Sequence, residues 1–571
     1  MINLSTGSRS WVGGELIRTY WAALLCSVSV AVCAQAQTVP PSVQPGSIER
    51  ELNNQAPTAP TNKVSIPAPN GLEAPANAAS VSIHLSGVDI VGASAIAPAV
   101  LAPLYSNLIG RDATVADLYA AANAITAKYV AAGYAISFAV VPKQTIESGH
   151  AEIDVVEGYV AETRFEGAPP PAMLKGFAAH ITSSRPLKTA TLERFLLLAN
   201  DVPGFTVKSV FEKMEGAARG ATRLVIHVER KAFSASATVD NRGSRALGPW
   251  RADVSAHLND LLGQGESIGL RGFLSSDAKE LRYGSTEVSW PLGNNGTRLK
   301  LEASYSDSHP GVPLLSAAGF GANGITARFG LEHPLIRSRA ETLQLDAFAG
   351  GQWLKSNLMS APNSRDHIYT LSVGGTYWGY DDHGVTSAGA HLVQGLGVFD
   401  ATTDHSALRS RSAGSGVYTA LNLNAMRLQE LGSGFEGLLS GSGQLASRGL
   451  LGSQQCGYGG MQFGRGFDDS ELVGDNCFMT SAELRYGFAG VPALNSLQVY
   501  GFGDAGYAER RGTLLPTERR SDTAYSAGLG LRWRFNDNLS GWVEFAQPIS
   551  RDVALEGNRH GRVFFALTGG F

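Results

Sequence analysis

Two periodicities divide the chain. Between residues 80 and 231, stretches with helical spacing and stretches with strand spacing follow one another in a repeated order. The first unit predicts a strand at 81–90, helices near 96–108 and 115–132, and strands at 138–141 and 151–157. In the longer helix Leu118, Ala121, Ala122, Ile125, Tyr129 and Val130 fall on one face. The second unit predicts a strand at 160–166, helices at 171–180 and 192–200, and strands at 205–212 and 222–229. Both read β-α-α-β-β over about 75 residues, the size of a small α+β module.

After Phe233 helical spacing nearly vanishes and alternation takes over. Arg298, Lys300, Glu302 and Ser304 alternate with Leu299, Leu301, Ala303 and Tyr305, and Arg532 and Arg534 alternate with Leu531, Trp533 and Phe535. Each such strand has one apolar and one polar side. In a soluble sandwich the polar side meets water; in a membrane barrel the apolar side meets lipid and the polar side a wet lumen. Connection lengths favour the barrel. Tight polar turns at 291–296, 334–339, 380–384 and 536–538 alternate with long stretches at 307–322, 397–415, 449–477 and 508–522. Short turns at one end and long loops at the other are the barrel pattern, and the breaks leave room for about sixteen strands over 233–571. Val563, Phe565, Leu567, Gly569 and Phe571 share one face of the last strand, and the chain ends on an aromatic.

The N-terminal 79 residues have a different character. Arg9 and Arg18 precede an apolar run at 21–33 and the small-residue site Ala34-Gln35-Ala36, which predicts a secretory signal peptide over 1–36. A membrane anchor is the competing reading, with a run short for hydrocarbon. Residues 37–79 form a Pro-rich linker interrupted by one short helix at 47–55, with Ser47 as N-cap. Such a helix needs a docking surface to be stable. The stretch 56–79, extended at ~3.1 Å per residue, reaches about 75 Å, more than the ~40–45 Å of a bilayer. Cleavage after Ala36 removes Cys26 and Cys33, leaving Cys456 and Cys477 in an exported chain, either as one disulfide or as two free thiols.

Composition narrows the function. Lys+Arg 46 against Asp+Glu 50 gives a net charge of -4, so no global basic field exists to hold nucleic acid. Only 17% of the 571 residues are charged and 67 are Gly, which suits strands whose outer side is not in water. Gly265-Glu266-Ser267-Ile268-Gly269 matches a nucleophile elbow letter by letter, but Ser267 enters an alternating strand rather than a strand–turn–helix. The 12 His show no metal-binding spacing and no phosphate-binding loop occurs, so neither catalysis, metal nor cofactor is expected.

Specific motifs then add a resemblance. Gly464-Arg465-Gly466-Phe467, followed by Gly474-Asp475 and residues 482–486, resembles the arginine-glycine-aromatic motif on the sixth extracellular loop of two-partner secretion transporters, the haemolysin and filamentous-haemagglutinin secretion/activation proteins. Phe502-Gly503-Asp504-Ala505-Gly506 resembles their F-x-D-x-G motif on a following strand. Parity puts Gln498, Tyr500, Phe502 and Asp504 on the side assigned to the lumen, where Asp504 can meet Arg465. Cys456 and Cys477 bracket the loop motif. Residues 240–244, Gly248 and Arg251 resemble the start of the barrel, and 333–338 a periplasmic turn, read as architecture.

The resemblance implies a membrane all-β fold: a sixteen-stranded antiparallel transmembrane barrel over 232–571, two POTRA domains at 80–158 and 159–231, and a plug helix with linker at 37–79. It implies an outer-membrane location with POTRA domains in the periplasm. The implied partners are a secreted adhesin- or haemolysin-like exoprotein, outer-membrane lipids and the barrel assembly machinery, which would read the terminal Phe571. A barrel-assembly factor of the same superfamily is the rival reading, and a passive porin would not need residues 80–231.

Overall fold

The computed structural model describes residues 41–53, 59–64, 71–146, 148–516 and 518–571. The signal peptide expected at 1–36, with Cys26 and Cys33, lies outside the described residues. After a 3₁₀ turn at Pro41–Val43 the first α-helix is α1 (Pro45–Asn53), two residues earlier than its sequence pattern suggests.

The first module contains β1 (Ser82–Leu85), β2 (Gly87–Val91), α2 (Pro98–Leu101), β3 (Arg111–Thr114), α3 (Val115–Ala131), β4 (Phe138–Val140) and β5 (His150–Val156). Thr114 starts α3 through a capping box: its hydroxyl accepts from the Asp117 amide while the Asp117 carboxylate accepts from the Thr114 amide. Leu118, Ala121, Ala122, Ile125 and Tyr129 are buried against the sheet, whereas Val130 is exposed. Two expectations need correction. The strand predicted at 81–90 breaks at Ser86, so that β1 pairs with β3 while β2 pairs in parallel with β5. The helix predicted near 96–108 is the four-residue α2 followed by two 3₁₀ turns. Pro103 lacks the N–H that a continuing helix requires.

The second module contains β6 (Tyr159–Gly167), α4 (Ala172–Ser183), α5 (Thr189–Asn200), β7 (Phe205–Lys213) and β8 (Ala221–Arg230), with sheet order β6-β8-β7. Leu174, Phe177, Ile181, Leu192, Leu196 and Ile226 fill the space between its helices and sheet.

Sixteen strands close the barrel. They are β9 (Phe233–Asp240), β10 (Arg251–Asn259), β11 (Ser267–Ser275), β12 (Leu281–Pro291), β13 (Arg298–Ser308), β14 (Gly321–Arg337), β15 (Glu341–Leu358), β16 (Ala361–Asp381), β17 (Gly384–Leu396), β18 (Thr419–Gly432), β19 (Phe435–Ala446), and, after a loop carrying the short β20 (Cys456–Tyr458) and β21 (Leu472–Gly474), β22 (Asn476–Phe488), β23 (Ser496–Glu509), β24 (Ser521–Asn536), β25 (Leu539–Pro548) and β26 (Arg562–Gly570). Every neighbouring pair is antiparallel, and β26 closes onto β9 from Ala566↔Asp240 to Gly570↔Ser236. Leu270, Leu301, Phe329, Val373, Leu529 and Val563 point outward and exposed, while Arg465, Glu483, Asp504 and Glu544 are buried inside. This inversion is the signature of a barrel dissolved in lipid.

Ion pairs and carbonyl contacts seat the second module under the barrel. Arg337, at the end of β14, donates from Nε and Nη2 to the two carboxylate oxygens of Asp201 at 2.7 and 2.8 Å. Arg194 of α5 donates to the carbonyls of Pro334 and Leu335, and Arg230 to those of Asn259 and Asp260. The turn expected at 333–338 is shorter than the sequence suggests, because β14 continues to Arg337 and only 338–340 turn; the end of β14 is a docking surface as well as one arm of a hairpin.

Candidate functional site in the barrel lumen

The long loop between β19 and β22, residues 447–475, folds back into the barrel. Arg465 sits at its deepest point, 4% exposed. Its Nη2 donates to Asp504 Oδ1 at 2.8 Å, and its Nε and its own amide donate to Oδ2 at 3.1 and 2.9 Å. Nη1 donates to Glu483 Oε2 at 2.7 Å, Nη2 reaches the Ser481 hydroxyl at 2.8 Å, and the guanidinium lies 3.5 Å from the centroid of the Phe502 ring.

The spacing of the wall motif follows from this geometry. Phe502, Asp504 and Gly506 lie on one side of β23 by strand parity. Phe502 supplies the ring beneath the cation, Asp504 the bidentate carboxylate, and Gly506 the space for the buried Tyr458 ring. A Cβ at Gly506 would come within 2.3 Å of that ring. The neighbouring Gly466 is equally confined, because a Cβ there would lie 2.8 Å from the Pro548 nitrogen and 2.9 Å from Ser526 Cβ. Phe467 is fully buried beside Tyr458, with ring centroids 6.1 Å apart.

Several participants escape sequence reading. Arg242, read only as part of the start of the barrel, donates to the carbonyl of Arg465 at 2.7 Å and to Glu544 at 2.7 Å, stacked 4.0 Å from the Phe564 centroid. Glu544 also accepts from the Tyr500 hydroxyl at 3.0 Å. Glu483 accepts from Arg485 and Arg532 in addition to Arg465. Four guanidiniums and three carboxylates thus form one network, in which each charge has an opposite neighbour. The signal available in the sequence was parity: Trp542, Glu544 and Ala546 share one side of β25.

The ends of the loop are fixed separately. Cys456 and Cys477 are joined by a disulfide, Cα atoms 6.2 Å apart. Asp475, fully buried, accepts from Arg411 Nη1 at 2.8 Å and from the amides of Leu450 and Arg511 at 2.8 and 2.6 Å. It ties three extracellular loops together. At the opposite end of the barrel wall Phe571 exchanges backbone hydrogen bonds with Ala235 of β9, its side chain exposed.

Helix α1 occupies the lumen beside the loop. Glu49 accepts from Ser304 at 2.9 Å and Thr326 at 2.6 Å on the inner wall, and Arg50 donates to the Ser453 carbonyl at 3.2 Å. Ile48 and Ser47 are buried. Gly46 lies so close to the loop that a Cβ would fall 2.1 Å from Ser453 Cβ. Further along, the Pro60 carbonyl accepts from Tyr380 and the Thr61 carbonyl from Arg337, both at periplasmic turns. Cavities of about 530 and 300 Å³ remain, the first facing the second module and the second between the loop and β9–β11. No group of side chains that could hold a metal ion occurs among the described residues.

Residues 220–533, more than half of the chain, match the haemolysin secretion/activation protein ShlB/FhaC/HecB family, and residues 83–158 match the ShlB-type POTRA domain. The heme/hemopexin transporter protein HuxB of Haemophilus influenzae (strain 86-028NP) is 25% identical over 466 residues, covering 79% of this chain and 81% of its own. The outer membrane transporter CdiB of Escherichia coli is 23% identical over 464 residues, covering 78% of this chain and 74% of its own. The solved structure of CdiB from Escherichia coli has the same fold, with a TM-score of 0.70, 21% identity, and coverage of 92% of this chain and 95% of that one. A lipid-facing barrel with a loop and a helix in its lumen, a POTRA domain before it and this family match lead to one conclusion: the chain belongs to the haemolysin secretion/activation family and is an outer-membrane transporter of two-partner secretion, its POTRA region periplasmic.

Proposed function

We propose that this transporter captures an unfolded secreted exoprotein of the adhesin or haemolysin class in the periplasm and exports it through the barrel without a catalytic step. The observation that carries the reading is the way the lumen is filled. Helix α1 is held by a few side-chain hydrogen bonds, each worth about 0.5–1.5 kcal/mol, whereas the loop carrying Arg465 is held by a buried ionic network. The helix is the part that leaves, and the network of Arg465, Gly466 and Phe467 with Phe502, Asp504 and Gly506 keeps the loop in working shape.

In this reading residues 1–36 are removed as a signal peptide, residues 37–79 are plug and tether, and 80–158 and 159–231 are both POTRA domains. Their sheets, ordered β2-β5-β4 and β6-β8-β7, end in edge strands to which an extended client adds by main-chain hydrogen bonding. Folding outside the cell supplies direction. The terminal Phe571 serves as the signal to the assembly machinery.

The test is co-expression with a candidate exoprotein of the adhesin or haemolysin class from the same genome. Export into the medium stops when the transporter is deleted and returns with the wild-type chain. Export that continues without the transporter overturns the proposal.

A further inference from the structure

The outer surface of the β15–β16 hairpin carries a banded pattern that the transport mechanism does not use. From Leu343 to Trp353 the outward positions of β15 are Leu343, Leu345, Ala347, Ala349, Gly351 and Trp353, without a charge. Eleven residues is the length of one membrane-spanning strand, ~9–11 residues, but β15 and β16 have 18 and 21 residues and run on beyond it. At the extracellular edge of the apolar band Trp353, Tyr369 and Phe399 form a chain of edge-to-face rings, with centroids 5.9 and 5.2 Å apart. Phe399 is 90% exposed on the following loop. Aromatic residues so placed mark the level of the lipid headgroups.

One strand repeat further out lie Lys355 and Arg365, directly opposite each other in the ladder and both exposed. Like charges in that register repel. Among the described residues neither side chain has a carboxylate partner. Of the acidic groups on the following loop, Asp400 is engaged by the Tyr369 hydroxyl at 2.7 Å and by His367 Nδ1 at 2.5 Å, and Asp404 by Arg448 at 2.9 Å. Asp307 stands two strands away, beyond Asn323, facing Arg282. A third cation is next in the chain to a backbone contact of this pair: the Arg365 amide donates to the Leu408 carbonyl at 2.6 Å, and Arg409 follows, its guanidinium donating, among the described residues, to the carbonyls of Ser406 and Ser412.

We propose that Lys355 and Arg365, with Arg409 beside them, bind the phosphate groups of a phosphorylated glycolipid headgroup in the outer leaflet. An anion between the two cations turns their repulsion into charge-assisted hydrogen bonding, with Arg365 able to grip two phosphate oxygens. The aromatic chain beneath fixes the depth at which the acyl chains begin. A free phosphate ion would satisfy the cations but not the rings, so the lipid is the ligand.

The experiment uses the full-length protein in detergent, titrated with a bis-phosphorylated glycolipid, the same lipid after phosphatase treatment, and inorganic phosphate, with thermal unfolding and native mass spectrometry as readouts. The intact lipid raises the unfolding temperature and appears as a bound mass; the other two do neither. In Lys355→Gln/Arg365→Gln the affinity falls at least tenfold, while Lys355→Arg retains it and shows that the hairpin tolerates change. Heat-shifted gel mobility identifies folded barrels. Equal binding by the double variant, equal binding of the dephosphorylated lipid, or the same effect from inorganic phosphate overturns the assignment.

Discussion

Arg465 and Asp504 are joined three times, through Nη2 to Oδ1 at 2.8 Å, Nε to Oδ2 at 3.1 Å and the Arg465 amide to Oδ2 at 2.9 Å. Side chain and backbone of the loop are thus clamped by one carboxylate. Removing one member of a buried pair costs about 3–5 kcal/mol, because the other charge is left without a partner. Arg465→Ala and Asp504→Ala should each lower export of the exoprotein at least tenfold while heat-shifted mobility shows an inserted barrel. Arg465→Lys should fail as well, since an ammonium cannot reach Asp504, Glu483 and Ser481 in one fork. Wild-type export in both alanine variants would refute the clamp.

Glu49 governs the hold on helix α1. Its two hydrogen bonds, to Ser304 and Thr326, contribute on the order of 2 kcal/mol together, a factor of roughly 30 in occupancy. Single-channel recordings of Glu49→Ala should show longer and more frequent open events than wild type, with deletion of residues 37–79 as the upper limit. Gly46→Val should act in the same direction through its clash with Ser453. Unchanged conductance in all three variants would leave α1 without a plugging role.

Much of this was legible in the sequence, and the exceptions share a cause. Alternation identified the lipid-facing side because lipid selects residue by residue along each strand. Alternation changes phase at Ser86-Gly87, from apolar Val81, Ile83 and Leu85 to apolar Val88 and Ile90, but that slip does not say that β1 and β2 choose different partners. Asp504 could be placed inward by counting; Arg242, Glu544 and Asp475 could not be assigned to it or to one another, because the partners named above lie 25 to 302 residues away. Short side-chain motifs survive in sequence when both halves lie on one strand or loop. Contacts made only by barrel closure leave no such trace.

Arg337 links the second module to the barrel through Asp201 and to the linker through the Thr61 carbonyl. Asp201 is a third exposed, so the pair is screened and Arg337→Ala should cost only about 1–2 kcal/mol. The consequence is mobility rather than unfolding. Limited proteolysis should cut between residues 230 and 233 several-fold faster in the variant, with export reduced. An unchanged cleavage rate would show that Arg194 and Arg230 suffice to hold the module.

The disulfide between Cys456 and Cys477 encloses the segment that contains Arg465. Closing a loop of that length restricts the unfolded chain by about 3 kcal/mol in the chain-entropy model. Reduction, or the Cys456→Ser/Cys477→Ser pair, should lower the denaturation midpoint and raise protease sensitivity of residues 457–476 without dissolving the barrel. Mass spectrometry after alkylation without reductant should find no modified thiol in the wild type; two modified thiols would count against the bond.

Glu157 predicts how the first module responds to acid. Burial pushes its carboxyl up, but the Ala95 amide, the Ser94 hydroxyl and amide, and the Tyr129 hydroxyl together hold it below its ordinary value of 4.5. A carboxylate with a lowered folded value binds fewer protons in the folded than in the unfolded state, so its contribution is fully present above about 4.5 and is lost as pH falls through the folded value. Glu157→Gln cannot titrate and keeps only one acceptor oxygen. The difference in urea midpoint between wild type and Glu157→Gln should therefore be constant from pH 7 down to about 5, then shrink progressively toward pH 3. Comparing the two proteins cancels the other titrating groups, including Asp117, whose value is also lowered, first by the Thr114 amide. A gap that persists undiminished at pH 3 would show that Glu157 acts by shape alone and that its charge does not hold the segment at Ser94 and Ala95.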